Sequence, residues 1–303
     1  MLIVAPCSAK KRFPVPPELD GASVHASSVA AYARQWTRRI DGAAPVAPAK
    51  DVYSGAGLAA ARGAATFCSG RLLFVSAGLG AVWSEQSIPS YNLTISHSGP
   101  GPFSATSSPH FPARWWAALN RHCHHGAPLA AQLPRQRGAI VIALPQSYLM
   151  MVHDDLCQLP KATLARVRII TTCDVELDAR LQTQAIQYDA RLNGLGAPFS
   201  GAMTSLVQRS ALHFVCNVLS DGRLRSVDAQ RRRVLALLDS LPAPRLPMRR
   251  RITDSSLVDL IGTRFASSSF TPARALRKLR ESGIACAQSR FDRLFREVQR
   301  GYA

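Results

Sequence analysis

The sequence predicts an α/β fold, a largely parallel sheet flanked by helices, followed by a small all-helical domain. Three observations lead there. Residues 2–5, 72–77, 138–144 and 168–173 are short apolar runs, each broken by small or polar residues and separated from the next by helix-length segments. Strands buried on both faces of a parallel sheet read as such runs. The chain has 303 residues, enough for one large domain and a small one. Its charge is uneven: from residue 231 onward there are 16 Lys or Arg against 6 Asp or Glu, a net of +10 out of +18 for the whole chain. This sets off a basic tail. The expected division is 1–241, a linker at 242–251 and a basic helical domain at 252–303.

Residues 2–5 form the first strand and end in Cys7, Ser8, Lys10 and Lys11. Small polar residues and a lysine directly after a strand suit a turn that faces a ligand. Residues 13–22 are a Pro-rich loop, and 27–40 are helical, with Val29, Tyr32, Ala33, Trp36 and Ile40 on one face. A second helix opens at residues 51–55 and runs to about Cys68. The strand at 72–77 breaks into Gly78, Leu79 and Gly80, where missing side chains let backbone come close to a ligand. The connector that follows carries Ser90, Tyr91, Asn92, Thr94, Ser96 and His97. It suits a pocket that reads a neutral polar ring, and it also reads as an ordinary polar loop. Residues 98–110 suggest a lid, and 111–123 a helix with Trp115 and Trp116.

The later strands end in Gln146, Ser147 and Tyr148, and in Asp174. Ligands of parallel sheets bind beyond the carboxyl ends of the strands, so these residues would meet Ser8, Ser76 and Gly80 at one rim. Asp189, between Tyr188 and Arg191, is either half of a structural ion pair or a carboxylate held for chemistry. Helices are expected at 200–219 and 227–241. In the tail, helices are expected at 255–265, 271–281 and 286–299, with Thr271 as N-cap, Pro272 at the first helical position and Ser282-Gly283 as the stop. This pattern resembles a helix-turn-helix. Leu276, Leu279, Phe291, Leu294, Phe295 and Val298 would form its core. Arg274, Arg277, Lys278, Arg280, Arg290, Arg293, Arg296 and Arg300 would meet DNA phosphates. The alternative is a three-helix interaction module that does not touch nucleic acid.

Several classes are excluded or disfavoured. No apolar run is long enough to cross a membrane, and the N-terminal apolar segment is too short for a signal peptide, so a cytoplasmic protein is expected. Seven cysteines at irregular spacing without a CxxC argue against a disulfide framework or zinc knuckle. His122, Cys123, His124 and His125 read as a basic helix end, because adjacent helical positions point in different directions. No metal is expected. Neither a GxGxxG nor a P-loop pattern is present, so no cofactor is expected. A pI near 10.6 favours a polyanionic partner, chiefly double-stranded DNA.

Four motifs then occur in order: PCSAKK at 6–11, DVYSG at 51–55, VSAGLGAVWSEQSIPSYNLTIS at 75–96 and IVIALPQSY at 140–148. Together they resemble the YaaA peroxide-stress proteins and their DNA-glycosylase-like relatives, over roughly the first 215 residues. With the basic tail, the chain is most similar to Brig-type anti-phage DNA glycosylases. Two departures stand out: Asn92 replaces a charged residue, and residues 145–148 lack an acidic residue some relatives have. The resemblance implies excision of a modified nucleobase from phage DNA, such as a glucosylated hydroxymethylcytosine, leaving an abasic site. It implies Asn92 and Asp189 as catalytic residues, with Asp174 competing for the carboxylate role. Cys7, Ser8, Ser76, Gly78, Gly80, Tyr91, Ser147 and Tyr148 would line the base pocket. Lys10, Lys11 and Arg191 would contact DNA, and Lys10 as an imine-forming amine would make a lyase. A DNA-binding stress factor with a degenerate pocket and an RNA base-exchanging transferase are the alternatives.

Overall fold

The computed structural model describes residues 1–95, 110–221, 223–243, 249–265 and 270–301. Ser96, His97 and nearly all of the expected lid lie outside them. Two compact units form, Met1–Pro244 and Arg245–Ala303.

The N-terminal unit is a sheet with helices on both faces. Strand β1 (Leu2–Pro6) is followed by helix α1 (Val29–Asp41), which starts at Ser28, whose Oγ accepts the Ala31 amide at 3.2 Å. Tyr32, Ala33, Trp36 and Ile40 are buried at helical spacing, as the sequence predicts. Helix α2 (Ala56–Phe67) begins after Gly55, which sits at φ +126°. It leads into β2 (Arg71–Ser76), which turns at residues 77–79 into β3 (Gly80–Trp83). Then come α3 (Phe111–His122), β4 (Ile140–Ile142), α4 (Gln146–Cys157), β5 (Val167–Thr171) and β6 (Ala185–Gln187). Helix α5 (Leu206–His213) widens into a π turn at Phe214–Val218 and precedes α6 (Val227–Asp239).

The sheet order is β3-β2-β1-β4-β5-β6, parallel except for β3 against β2. The apolar β1 is the partner of both β2 (Val4 beside Leu73) and β4 (Val4 beside Ile142). Helix α3 packs with both α1 and α4, and α2 packs with α5. Buried Arg168 fastens α6 to the amino end of β5, donating to Gln230 Oε1 at 2.5 Å and to the Arg225 carbonyl at 2.9 Å. Burial pulls its pKa down to about 10.

The C-terminal unit has helices α7 (Asp254–Arg264), α8 (Pro272–Glu281) and α9 (Gln288–Gly301). Thr271 Oγ1 accepts the Arg274 amide at 3.3 Å, and Gly283 at φ +79° follows the end of α8. The six apolar residues named for its core are buried, together with Leu257, Ile261 and Phe265. Part of the expected linker belongs to this fold. Strand β7 (Arg250–Arg251) pairs in parallel with β8 (Ile284–Ala285).

Candidate active site

The topology singles out one crevice. The chain leaves β1 for β2 on one side and leaves β4 for β5 on the other, and ligands of such sheets sit where the connections diverge. The residues just beyond these two strands are Cys7 and Ser8, and Gln146 to Tyr148. Cys7 Sγ lies 3.3 Å from the Tyr148 hydroxyl and bridges the crevice.

The segment after β1 is zipped to residues 52–54. The Arg12 amide donates to Val52 O at 3.0 Å and the Ser54 amide to Lys10 O at 3.0 Å. Ser8 Oγ donates to Ser54 O at 2.5 Å and accepts the Lys10 amide at 3.0 Å. This pairing decides which lysine turns inward. Lys10 is exposed. The Lys11 amine donates to the Ser8 carbonyl and lies 4.7 Å and 5.1 Å from the ring centres of Tyr91 and Tyr53. The described residues give it no carboxylate partner. Burial lowers its pKa from 10.5, opposed by the Cys7 sulfur. The buried amine is therefore that of Lys11, while Lys10 stands in solvent.

Beneath Lys11 runs a chain of hydroxyls. Ser76 Oγ accepts the amides of Gly78 and Leu79, each at 3.1 Å, so its own proton goes to the Tyr91 oxygen. Tyr91 in turn donates to Tyr53 at 2.7 Å. Burial, and secondly the nearby Cys7, raises the pKa of Tyr53, Tyr91 and Tyr148 well above the ordinary phenol value. All three are neutral hydroxyls at physiological pH.

This geometry corrects the expected pocket. Tyr91 and Ser76 are 0% exposed and cannot touch a bound base. The space left by Gly78 is filled by protein: a Cβ there would lie 2.5 Å from Tyr91 Cε2 and 3.2 Å from Trp36. At Gly80, with φ +78°, a Cβ would meet Asn120 Oδ1 at 2.9 Å. The turn's carbonyls are consumed as well. Trp115 Nε1 donates to Ala77 O at 2.8 Å, Trp36 Nε1 to Gly78 O at 2.7 Å, and Cys123 Sγ to Leu79 O at 3.6 Å. Backbone groups buried in a turn need such partners, which gives the two tryptophans their role.

Asn92 and Asp189 serve as anchors. Asn92 Nδ2 donates to Asp20 Oδ2 at 3.0 Å, while its backbone bonds Leu19 O at 2.9 Å and the Gly21 amide at 2.7 Å. Asp189 caps its own turn and takes both Arg191 Nε (3.0 Å) and Nη2 (2.8 Å), and Arg191 reaches on to Asp239 at 2.7 Å. The Arg191 hydrogen bonds hold the Asp189 carboxyl below its ordinary pKa. Of the two readings of Asp189, the ion pair describes this arrangement. Arg191 is spent on these carboxylates. Strand β6 also stands three places from β1, roughly 14 Å at ~4.8 Å per strand. His124 and His125 fasten to α1, His124 Nδ1 at 2.8 Å from Asp41 and His125 Nε2 at 3.0 Å from Ile40 O.

Asp174 lies elsewhere on the rim. It accepts Gln187 Nε2 at 3.2 Å in an open cleft of about 940 Å³, lined also by Thr171, Cys173, Arg231 and Arg232. The carboxylates of that cleft, Asp174 and Glu176, are exposed to water. The burial-shifted groups Lys11, Tyr53, Tyr91 and Tyr148 gather around Cys7 at the carboxyl ends of β1, β2 and β4, and that convergence marks the better reactive centre. Ser147 is exposed at the same rim.

The basic residues of the C-terminal unit differ in what they meet. Arg290 and Arg293 share Asp254, at 2.6 Å and 2.8 Å, and Arg293 also bonds Glu297. Arg274 and Lys278 stand over the Phe270 ring, at 5.7 Å and 5.5 Å, on the exposed face of α8 with Arg277. Arg280 donates to the Cys286 carbonyl at 2.8 Å. No family model, curated protein or solved structure matches this chain, so the resemblance to glycosylase-like proteins rests on its motifs alone.

Proposed function

We propose that the N-terminal unit is a DNA glycosylase and that the basic C-terminal unit holds the duplex. The carrying observation is the Lys11 amine, half-buried at the strand ends with hydroxyls and the Cys7 sulfur around it and no carboxylate among the described residues to hold its proton. A neutral amine is a nucleophile. With a flipped nucleotide in the crevice, its lone pair bonds C1′ of the sugar while the glycosidic electron pair leaves with the base. The proton shed by the new secondary ammonium balances the departing base. The sugar ring then opens to an imine on Lys11. The Tyr148 hydroxyl and the Cys7 sulfur supply polar contacts to the base edge. The motif resemblance suggests a modified cytosine of phage DNA as that base.

The test is incubation of the full chain with duplexes carrying modified cytosines, with and without borohydride. Released base by mass spectrometry, plus a borohydride-fixed adduct on Lys11 that Lys11→Met abolishes, is the expected result. Base release without an adduct, retained in Lys11→Met, removes Lys11 from the chemistry and points to water activated near Asp174. Binding without base release points to a DNA-binding factor, and an exchanged base to a transferase.

A further inference from the structure

The C-terminal unit contains a basic cleft that the motifs do not announce. It has a volume of about 450 Å³ and is lined by Arg249, Arg251, Arg280 and Arg290, with Cys286 at its wall. The β7–β8 ribbon creates it. The Arg250 amide donates to Gly283 O at 2.9 Å, and Arg251 stands beside Ala285 in register. Alternation along a strand sends residues 249 and 251 to one face and 250 to the other, and the lining contains the first two without Arg250. Arg280 near the end of α8 and Arg290 in the first turn of α9 close the sides.

Four guanidiniums converge there against one carboxylate, Asp254, which contacts Arg290 and is shared with Arg293 outside the cleft. Arg249 Nε donates to Arg280 O at 3.0 Å, and Arg280 Nε and Nη2 to Cys286 O at 3.3 Å and 2.8 Å. These bonds fix the forks in place without neutralising them. Arg251 has no partner among the described residues. Like charges held together by backbone carbonyls repel one another until an anion enters, and planar forks match the oxygens of a phosphate.

We infer that this cleft grips a backbone phosphate of nucleic acid, with Arg249 and Arg251, neither of which meets a carboxylate among the described residues, as the forks that take its oxygens. The assignment rests on the DNA-binding reading of this unit. Binding to unmodified duplex involves no base release, so failure here and failure of the glycosylase reading are separate results. The experiment titrates the full chain onto a labelled unmodified duplex by anisotropy from 50 to 300 mM salt. Each lost contact to B-DNA lowers the slope of log K against log salt by about 0.9. Arg249→Gln/Arg251→Gln should flatten the slope by roughly 1 to 2 and weaken binding about tenfold or more at 150 mM. Arg249→Lys/Arg251→Lys keeps the charge and should keep most of the slope. An unchanged slope in the Gln variant overturns the inference. An equal loss in the Lys variant means the arginines only hold the ribbon, and also overturns it. Inorganic phosphate binding that the Gln variant loses, with duplex binding intact, makes this a small-anion site and overturns the nucleic-acid assignment.

Discussion

Gly78→Ala tests whether the glycines after β2 serve a ligand or the core. The added methyl would sit 2.5 Å from Tyr91 Cε2 and 2.9 Å from Cδ2, with Trp36 at 3.2 Å behind. No carbon approaches another at 2.5 Å, so the Tyr91 ring must move. Tyr91 is pinned at its hydroxyl by Tyr53 at 2.7 Å and by Ser76, and is fully buried. Overpacking of this kind costs about 1–3 kcal/mol, and loosening the hydroxyl chain adds about 1 kcal/mol. A total of about 2–4 kcal/mol lowers the melting temperature of a unit of this length by roughly 4–8 °C. Gly63→Ala is the control. Its methyl meets only Leu212 side-chain carbons at 3.5 and 3.9 Å, in ordinary contact, and alanine favours the helix by about 1 kcal/mol. Gly63→Ala should be neutral or stabilising. Urea and thermal denaturation of the three proteins make the comparison. If Gly78→Ala unfolds within about 0.5 kcal/mol of the parent, the packing argument fails, and the turn has room for a ligand after all.

Three further outcomes are expected. Lys11→Met should keep or raise thermal stability at neutral pH, because a thioether carries no charge to desolvate; in the parent, base release should rise with pH through the lowered Lys11 pKa, and a flat profile would contradict the amine's role. The His213 imidazole, whose Nδ1 lies 3.0 Å from the Tyr188 hydroxyl, is pushed down to about 4 by burial and then by Arg233. Its contribution is present above pH 6.5 and lost as pH falls toward 4, with a ceiling of about 3 kcal/mol that solvent screening cuts to about half; urea midpoints at pH 7 and 4.5 should converge in His213→Gln, and an equally steep acid loss in that variant would refute it. Asn92→Ala should cost about 1 kcal/mol through the lost Asp20 bond and leave base release per folded molecule intact; a stable but inactive variant would return Asn92 to the chemistry.

The sequence by itself determined what local signals encode. Residues 2–5, 72–77, 138–144 and 168–173 are apolar enough to be recognised as buried strands, and all four lie in the sheet. The tail's helices follow from Thr271, Pro272, Gly283 and the spacing of their apolar residues. Two strands of the main sheet, Gly80–Trp83 and Ala185–Gln187, are not legible in the sequence because they are too short to show a period. The tertiary structure alone decided which polar residues are active candidates and which are mortar. Nothing in KK tells Lys10 from Lys11; pairing with residues 52–54 turns Lys11 over the rings of Tyr53 and Tyr91. Gly78 reads as an opening until Tyr91 fills it, and Asn92 reads as a pocket residue until Asp20, far earlier in the chain, takes its amide. Arg249 and Arg251 read as linker until Arg250–Arg251 pairs with Ile284–Ala285. A side chain's partners are chosen by folding across tens of residues, and spacing along the chain carries no record of that choice.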